Sequence, residues 1–178
     1  MAEKVPGYTC HSCGAYHSEL PLSYFVPLPD AVLWVPEAER AQRCRILDEV
    51  CIIDNEHFFI RGNIEIPIRG QETPFGWTVW TSLSRANFER AVRLWDRPER
   101  VDEPPYFGWL NNLLPPYPTT IDLKTHVHTR PVGTRPYIEL EPTDHPLAVE
   151  QRQGITMARV QEIAEIMLHE QPGAHGRS

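Results

Sequence analysis

The sequence predicts an α+β domain: a mostly antiparallel sheet of about five strands with packed helices and an N-terminal zinc-knuckle segment. Three observations support this class. Some stretches alternate apolar and polar residues with a period of two, which is typical of strands with one face on a core. Other stretches repeat apolar residues every three to four positions, as amphipathic helices do. Finally, Cys10 and Cys13 have the spacing of half a four-ligand zinc site.

Composition and charge limit the possible classes of protein. The chain has 178 residues, of which 41% are hydrophobic and 23% charged, so we expect a single globular domain over 1–178. A net charge of −7 argues against binding to nucleic acid or to an anionic membrane. The chain shows neither an apolar run of ~20 residues nor the apolar core of a secretory signal. We therefore expect a cytoplasmic protein whose four cysteines are thiols or metal ligands.

The elements follow in order along this domain. The sequence predicts an irregular knuckle-containing segment at 1–35, an α+β core at 36–170 and a flexible tail at 171–178. Pro36 stands in the first turn of a short helix that ends near Leu47. The predicted strands of the first half are a β-branched run at 50–53, a long alternating strand at 58–68 and a central strand at 75–82.

The sequence of the second half of the core predicts three helices and a pair of strands. Ser84 and Thr156 have the side chains that cap helices, and each precedes an amphipathic stretch. The apolar run 106–114 is compatible with either a strand or a helix. The remaining predicted elements are an alternating strand at 121–130, its partner at 136–141 and a short helix at 147–152.

Several segments carry a family resemblance. They are Cys51-Ile52-Ile53-Asp54, His57-Phe58-Phe59-Ile60-Arg61-Gly62, Phe75-Gly76-Trp77-Thr78-Val79-Trp80, Tyr106-Phe107-Gly108-Trp109-Leu110 and Glu141-Pro142-Thr143-Asp144-His145-Pro146-Leu147-Ala148-Val149-Glu150-Gln151. Together with the knuckle, they resemble a bacterial family catalogued as a domain of unknown function, number 2199. The similarity runs from about Tyr8 to Leu168. The resemblance implies a bacterial, cytosolic, single-domain protein, and it implies no activity and no catalytic residue.

The cysteines predict a structural Zn²⁺ site. Such a site needs four tetrahedral ligands, and cysteines usually supply them in pairs. Cys10 and Cys13 form one predicted pair and Cys44 and Cys51 the other, with His17 as a possible substitute ligand. Two alternatives stay open: the first pair is an unmetallated thiol pair, or the second pair consists of buried cysteines that pack as small hydrophobes. Redox chemistry is disfavoured because no helix pattern begins after Cys13.

A second candidate site lies on the alternating strand at 121–130. His126 and His128 project from the same side of that strand, as in some metal enzymes. Glu139 on the partner strand, together with Asp144 and His145 beyond it, would complete a metal-dependent, hydrolase-like site. One alternative is a solvated polar face. The other is a local basic stripe that holds a phosphate or an acidic partner, formed by Lys124, His126, His128 and Arg130 and extended by Arg135. Asp144 is also a candidate helix cap.

These observations predict a zinc-stabilised, non-catalytic domain that binds a protein or a small-molecule ligand. They predict that it binds neither a membrane nor nucleic acid. The sequence contains no Gly-x-Ser-x-Gly elbow, phosphate-binding loop or dinucleotide-binding glycine motif. The alternative function is the metal-dependent enzyme built on the histidine strand.

Overall fold

The computed structural model describes residues 7–169, so the predicted tail at 171–178 lies outside the described residues. The strands are β1 (Tyr8–Thr9), β2 (Tyr16–His17), β3 (Ser23–Phe25), β4 (Cys44–Ile46), β5 (Val50–Ile53), β6 (His57–Ile66), β7 (Phe75–Leu83), β8 (Tyr106–Leu110), β9 (Lys124–His128) and β10 (Tyr137–Leu140). The α-helices are α1 (Glu37–Arg43), α2 (Arg85–Arg93), α3 (Pro146–Gln153) and α4 (Met157–His169). Short 3₁₀ helices span Asp30–Trp34 and Pro98–Asp102.

Five strands close into a barrel. β6, β7, β8, β9 and β10 pair antiparallel in chain order, and β10 then returns to β6 with Tyr137 opposite Asn63. This last pairing is parallel because an up-and-down barrel with an odd number of strands must join two strands of the same direction. β3 extends the sheet beside β7, while β5 and β4 extend it beside β6. The α+β class is confirmed, but the plain antiparallel sheet is corrected to a closed barrel with additional outer strands.

Gly62 makes the closure possible. A Cβ atom at this position would lie 2.8 Å from the Ile138 side chain and 2.9 Å from the carbonyl oxygen of Pro136. At the same seam, the N–H of Asn63 donates to the Pro136 carbonyl at 2.9 Å. A side chain at position 62 would therefore separate β10 from β6.

Apolar side chains fill the barrel interior. On β6, Phe58, Ile60, Ile64 and Ile66 are buried in the main core, as the alternation predicts. The other strands contribute residues that include Phe75, Trp77, Val79, Tyr106, Leu110, Val127, Ile138 and Leu140. Side chains of α2, α3 and α4 belong to the same cluster, so the helices and the barrel share one core.

A smaller apolar cluster lies on the other side of the sheet. Phe59 and Trp80 pack there with Val32 and Val35, which attaches the segment before α1 to the barrel. Asn112, fully buried, reinforces this attachment. Its side chain accepts the Trp80 N–H at 2.8 Å and donates to the carbonyl of residue 28 and the carboxylate of residue 30, at 2.8 and 3.0 Å.

The end of α1 differs from its prediction, the open alternative at 106–114 is resolved, and the helix caps agree with their predictions. α1 ends at Arg43, and Cys44 begins a strand because the segment 44–46 pairs with β5. The ambiguous run at 106–114 forms β8 and then leaves the sheet. Ser84 Oγ accepts the N–H of Asn87 at 3.2 Å, and Thr156 Oγ1 accepts the N–H three residues later at 3.2 Å. In the described part of the chain, no helix has the length and apolar character needed to cross a bilayer.

An ion-pair cluster connects α2 to the start of β8. The Glu103 carboxylate accepts from Arg90 Nη2 and from the Tyr106 hydroxyl, each at 2.6 Å. These hydrogen bonds, led by the one from Arg90, lower the pKa of Glu103 to about 2. Burial and the Glu103 carboxylate raise the pKa of Tyr106 to about 12.

Candidate metal centre

The predicted zinc knuckle forms the turn of a short hairpin between β1 and β2. The strands pair antiparallel with Tyr8 opposite His17. The N–H of Cys10 donates to the Ala15 carbonyl and the N–H of Gly14 to the Cys10 carbonyl, both at 2.9 Å. Gly14 has φ of +71°, a left-handed conformation that glycine adopts without a steric penalty. The turn is therefore tight enough to return the chain beside the cysteines.

The hairpin gathers three potential metal ligands. One ligand atom from each of Cys10, Cys13 and His17 lies within 4.8 Å of the other two. A tetrahedral zinc ion bound at ~2.3 Å to sulfur and ~2.0 Å to nitrogen would hold its ligand atoms ~3.6–3.8 Å apart. The His17 ring stacks on Tyr8 at a centroid distance of 5.0 Å. Its Nε2 atom is buried and has no hydrogen-bond partner within residues 7–169, a deficit that a bound metal ion would remove.

The environment of Cys10 favours its thiolate form. The side chain is buried, with 1% of its surface exposed, whereas Cys13 is exposed. Desolvation raises the pKa of Cys10, but hydrogen bonds from the backbone N–H groups of Cys13 and Ser12 and from His169 outweigh it and lower the pKa to about 6. The thiolate is the form of cysteine that binds metals.

One face of α4 docks against this hairpin. Gln161, Glu165 and His169 are four residues apart, so they line up along the helix. Gln161 donates to a β1 carbonyl at 3.2 Å, and Glu165 Oε1 accepts the backbone N–H of His11 at 3.0 Å. At the end of the row, His169 Nε2 lies 3.2 Å from Cys10 Sγ.

The second predicted cysteine pair does not join this group. Cys51 is fully buried in the smaller apolar cluster, and the partly buried Cys44 packs against that cluster. The register of β4 and β5 places Cys44 opposite Ile53, so the two cysteines are not direct cross-strand partners. Burial raises the pKa of Cys51 to about 12, which disfavours its thiolate. Of the predicted ligands, the structure brings together Cys10, Cys13 and the substitute His17.

The histidine strand has the predicted orientation but pairs its histidines separately. On β9, His126 Nε2 lies 3.1 Å from Glu141 Oε1, and His128 Nε2 lies 2.7 Å from Glu139 Oε2. Each histidine thus contacts a different carboxylate from β10 or the residue after it. Within residues 7–169, these side chains do not form a group of three ligand atoms as close together as those of the hairpin.

His145 and Asp144 have positions of their own. His145 is the N-cap of α3, and its Nδ1 accepts the N–H of Leu147 at 3.2 Å. Its Nε2 lies 3.3 Å from the carbonyl oxygen of Pro118. Asp144 is exposed. The histidine therefore has the capping role that the sequence suggested for the aspartate.

Both arginines of the basic stripe pair with carboxylates, Arg130 with Glu65 and Arg135 with Glu49. Arg130 pairs with Glu65 at 2.6 Å, in addition to the two histidine–glutamate pairs. Lys124 lies above the Trp109 ring at 5.9 Å, and Trp109 contacts Phe107 edge-on. Both rings are about 40% exposed, so the outer face of β8 and β9 is a mixed aromatic and ion-paired surface.

A cleft of about 510 Å³ lies elsewhere on the molecule, lined by Glu49, Asn63, Trp95, Arg100 and the turn at 133–135. Only 2% of Arg100 is exposed, and its guanidinium lies 4.7 Å from the Trp95 ring centroid. Arg100 Nη1 donates to the Trp95 carbonyl at 2.8 Å. Its Nε and Nη2 atoms are buried without a hydrogen-bond partner in the described residues. Desolvation lowers the pKa of this arginine.

The fold and the hairpin together define a β-barrel domain with a Cys–Cys–His group that could hold a metal ion. Residues 9–155 match the model of the DUF2199 family, described as an uncharacterized protein conserved in bacteria. The chain belongs to this family, and the resemblance stated from the sequence is confirmed. No curated protein and no solved structure matches the chain.

Sequence reasoning did not identify His169 as a neighbour of Cys10. The matched family region ends at residue 155, before this histidine. The available signal was the row of polar residues at 161, 165 and 169 on a helix whose other side is apolar. Such a row predicts that something polar covers the helix, but it does not identify the hairpin as the covering element.

Proposed function

We propose that the chain is a zinc-stabilised, non-catalytic binding domain. The observation that carries this proposal is the convergence of Cys10, Cys13 and His17 within 4.8 Å. Sites with two thiolates and imidazole ligands are typical of structural zinc, which supplies folding free energy directly. The hairpin requires such additional folding free energy because each of its strands has two residues, and a hairpin this short is at best marginally stable alone.

Elemental analysis of the purified protein tests the metal part of this proposal. We expect one zinc ion per chain, lost in Cys10→Ser and in Cys13→Ser. Cys44→Ser is the matched control, because Cys44 lies outside the ligand group, and it should keep the zinc. Absence of zinc from the purified wild-type protein would refute the proposal, as would equal loss of zinc in the control.

The cleft around Arg100 supports the binding part of the proposal. Arg100 Nε and Nη2, which have no partner in the part of the chain that the structure describes, form the side-on edge of the guanidinium. With this edge, an arginine holds a carboxylate in two parallel hydrogen bonds. The same edge is used three times elsewhere in the described residues. Arg90 donates from Nε and Nη2 to the two carboxylate oxygens of Glu103. Arg43 donates from Nε and Nη2 to Asp54 at 2.8 and 2.7 Å, and Arg135 donates from the same atoms to Glu49 at 2.9 and 2.7 Å.

A buried guanidinium with a free edge is costly unless an anion satisfies it. Arg135 in the same cleft is already neutralised by Glu49, so Arg100 is the cation available to a ligand there. We therefore propose that the bound molecule is a small carboxylate. Because the Nε and Nη2 atoms of Arg100 are shielded from bulk solvent, the carboxylate would reach them only if the cleft opened.

Thermal unfolding with added acetate or succinate, at constant ionic strength set with chloride, tests this ligand class. The expected result is a saturable rise in Tm in the wild type that Arg100→Lys abolishes, because lysine lacks the planar fork. Arg93→Lys, on the exposed face of α2, is the matched control and should respond like the wild type. A rise with inorganic phosphate alone would reassign the ligand class. No saturable rise with any of the three anions would refute the site.

A further inference from the structure

We infer that His169 is the fourth ligand of the metal centre, which then has two cysteine and two histidine ligands and no open coordination position. This inference rests on the zinc site proposed above. It adds a ligand from α4, near the end of the described residues, to the ligands of the hairpin near their beginning. The observation behind it is the 3.2 Å distance between His169 Nε2 and Cys10 Sγ.

The position of His169 is fixed by contacts that do not involve a metal. One and two turns earlier on α4, Glu165 and Gln161 already bind the hairpin. Glu165 Oε1 also lies 2.9 Å from His11 Nδ1, and Gln161 donates to the same carboxylate oxygen at 2.9 Å. Because these bonds hold the helix face against the hairpin, the next residue of the row lies beside Cys10.

His169 Nε2 contacts Cys10 but lies outside the group of ligand atoms within 4.8 Å of one another, so coordination requires the imidazole to move towards that group when the ion binds. In a tetrahedral zinc site, a sulfur and a nitrogen ligand lie ~3.6 Å apart, so a small outward movement from 3.2 Å would accommodate the ion between Cys10 and His169. The site already contains one imidazole nitrogen, the Nε2 of His17, that has no hydrogen-bond partner among residues 7–169. His169 brings the second imidazole to the side of Cys10 that faces α4.

Four protein ligands change the chemistry expected of the ion. A zinc ion with an open position activates water, whereas a closed Cys₂His₂ set leaves no position for a substrate. The closed set also joins residues that are 159 positions apart, so the ion would stabilise the docking of the hairpin on α4.

Zinc affinity, measured by competition with a chelator, tests the assignment on the full-length protein. Removal of a second-shell group typically costs 10–100-fold in metal affinity, so loss of a direct ligand in His169→Ala should cost more than ~100-fold. His11→Ala is the matched control, because His11 contacts the same helix face and lies outside the proposed ligand set. It should cost less than ~10-fold.

A second variant separates ligation from docking. His169→Cys supplies another zinc ligand, so it should restore tight zinc binding. With Co²⁺ bound, this variant should show stronger sulfur-to-metal charge-transfer absorption, in proportion to a third thiolate.

If wild-type protein binds no zinc, the proposed function fails. If it binds zinc while His169→Ala keeps the same affinity and Co²⁺ spectrum, only the fourth ligand is refuted. Equal losses in His11→Ala and His169→Ala would likewise refute ligation and indicate docking alone.

Discussion

Replacing Gly62 with alanine tests how closely the barrel strands approach at their parallel seam. The new Cβ would lie 2.8 Å from the Ile138 side chain and 2.9 Å from the Pro136 carbonyl oxygen. Carbon atoms in favourable contact are ~3.5–4.0 Å apart, so β10 or the Ile138 side chain must move by at least ~0.7 Å. Overpacking of this kind costs ~1–3 kcal/mol, and we expect about 2 kcal/mol here.

Thermal unfolding followed by circular dichroism measures this cost. A loss of ~2 kcal/mol should lower Tm by ~4–8 °C in a domain of this size. Gly76→Ala is the matched control on β7, because its Cβ would meet the Ser23 Cβ at an ordinary 3.6 Å. That substitution should leave the free energy of unfolding unchanged or raise it by up to ~1 kcal/mol, since alanine restricts the unfolded chain.

A double-mutant cycle identifies the contact responsible. Ile138→Val removes one of the two carbon atoms that the new methyl group would touch. On its own this change costs ~0.5–1.5 kcal/mol, but in the Gly62→Ala background it should cost less because it relieves the overlap. Strictly additive effects, or a Gly62→Ala protein as stable as Gly76→Ala, would refute the reasoning that a side chain cannot fit at the seam.

Three further predictions concern buried polar groups and the histidine strand. Asn112→Ala leaves the Trp80 N–H buried without its acceptor and removes the two hydrogen bonds that the Asn112 side chain donates. The free energy of unfolding, measured in urea, should therefore fall by ~3 kcal/mol, and a fall of less than ~1 kcal/mol would contradict this. Glu103→Gln should destabilise the protein at pH 7. Because the pKa of Glu103 is lowered to about 2 in the folded state, its contribution is present above the unfolded pKa of ~4.3 and lost as pH falls towards 2. The difference in Tm between wild type and variant should therefore narrow over that range, and a constant difference would exclude the ion pair as its source. Combined His126→Ala and His128→Ala should change neither zinc content nor the circular dichroism spectrum; loss of a second metal ion with the fold intact would instead support the enzyme hypothesis.

The strands could be predicted from the sequence, but the closure of the barrel could not. Alternation from residue 58 onward indicates which face of β6 is buried, and it holds for every even position through Ile66. It does not indicate which strand lies beside β6 on its open edge. That neighbour is β10, about 70 residues later, and its only local signal is Gly62, which is equally compatible with a bend or a bulge.

The candidate site shows the same division between local and distant information. The Cys10–Cys13 spacing and the nearby His17 are local, so sequence reasoning reached them. Cys44 was interpreted as helical because its neighbours fit a helical period, although the segment is held as a strand by pairing with β5. His169 reaches the hairpin from 159 residues away, and no spacing rule links it to the cysteines.

The docking of the hairpin on α4 gives the described chain an almost circular path. Residue 10 meets residue 169, so the polypeptide leaves this junction, builds the barrel and returns to it. The junction is held by contacts between the hairpin and α4, so a break in the backbone at a distant surface turn should leave it intact. A circular permutant opened in the exposed 70–73 turn, with its original ends joined by a flexible linker, should therefore retain the barrel and the metal centre.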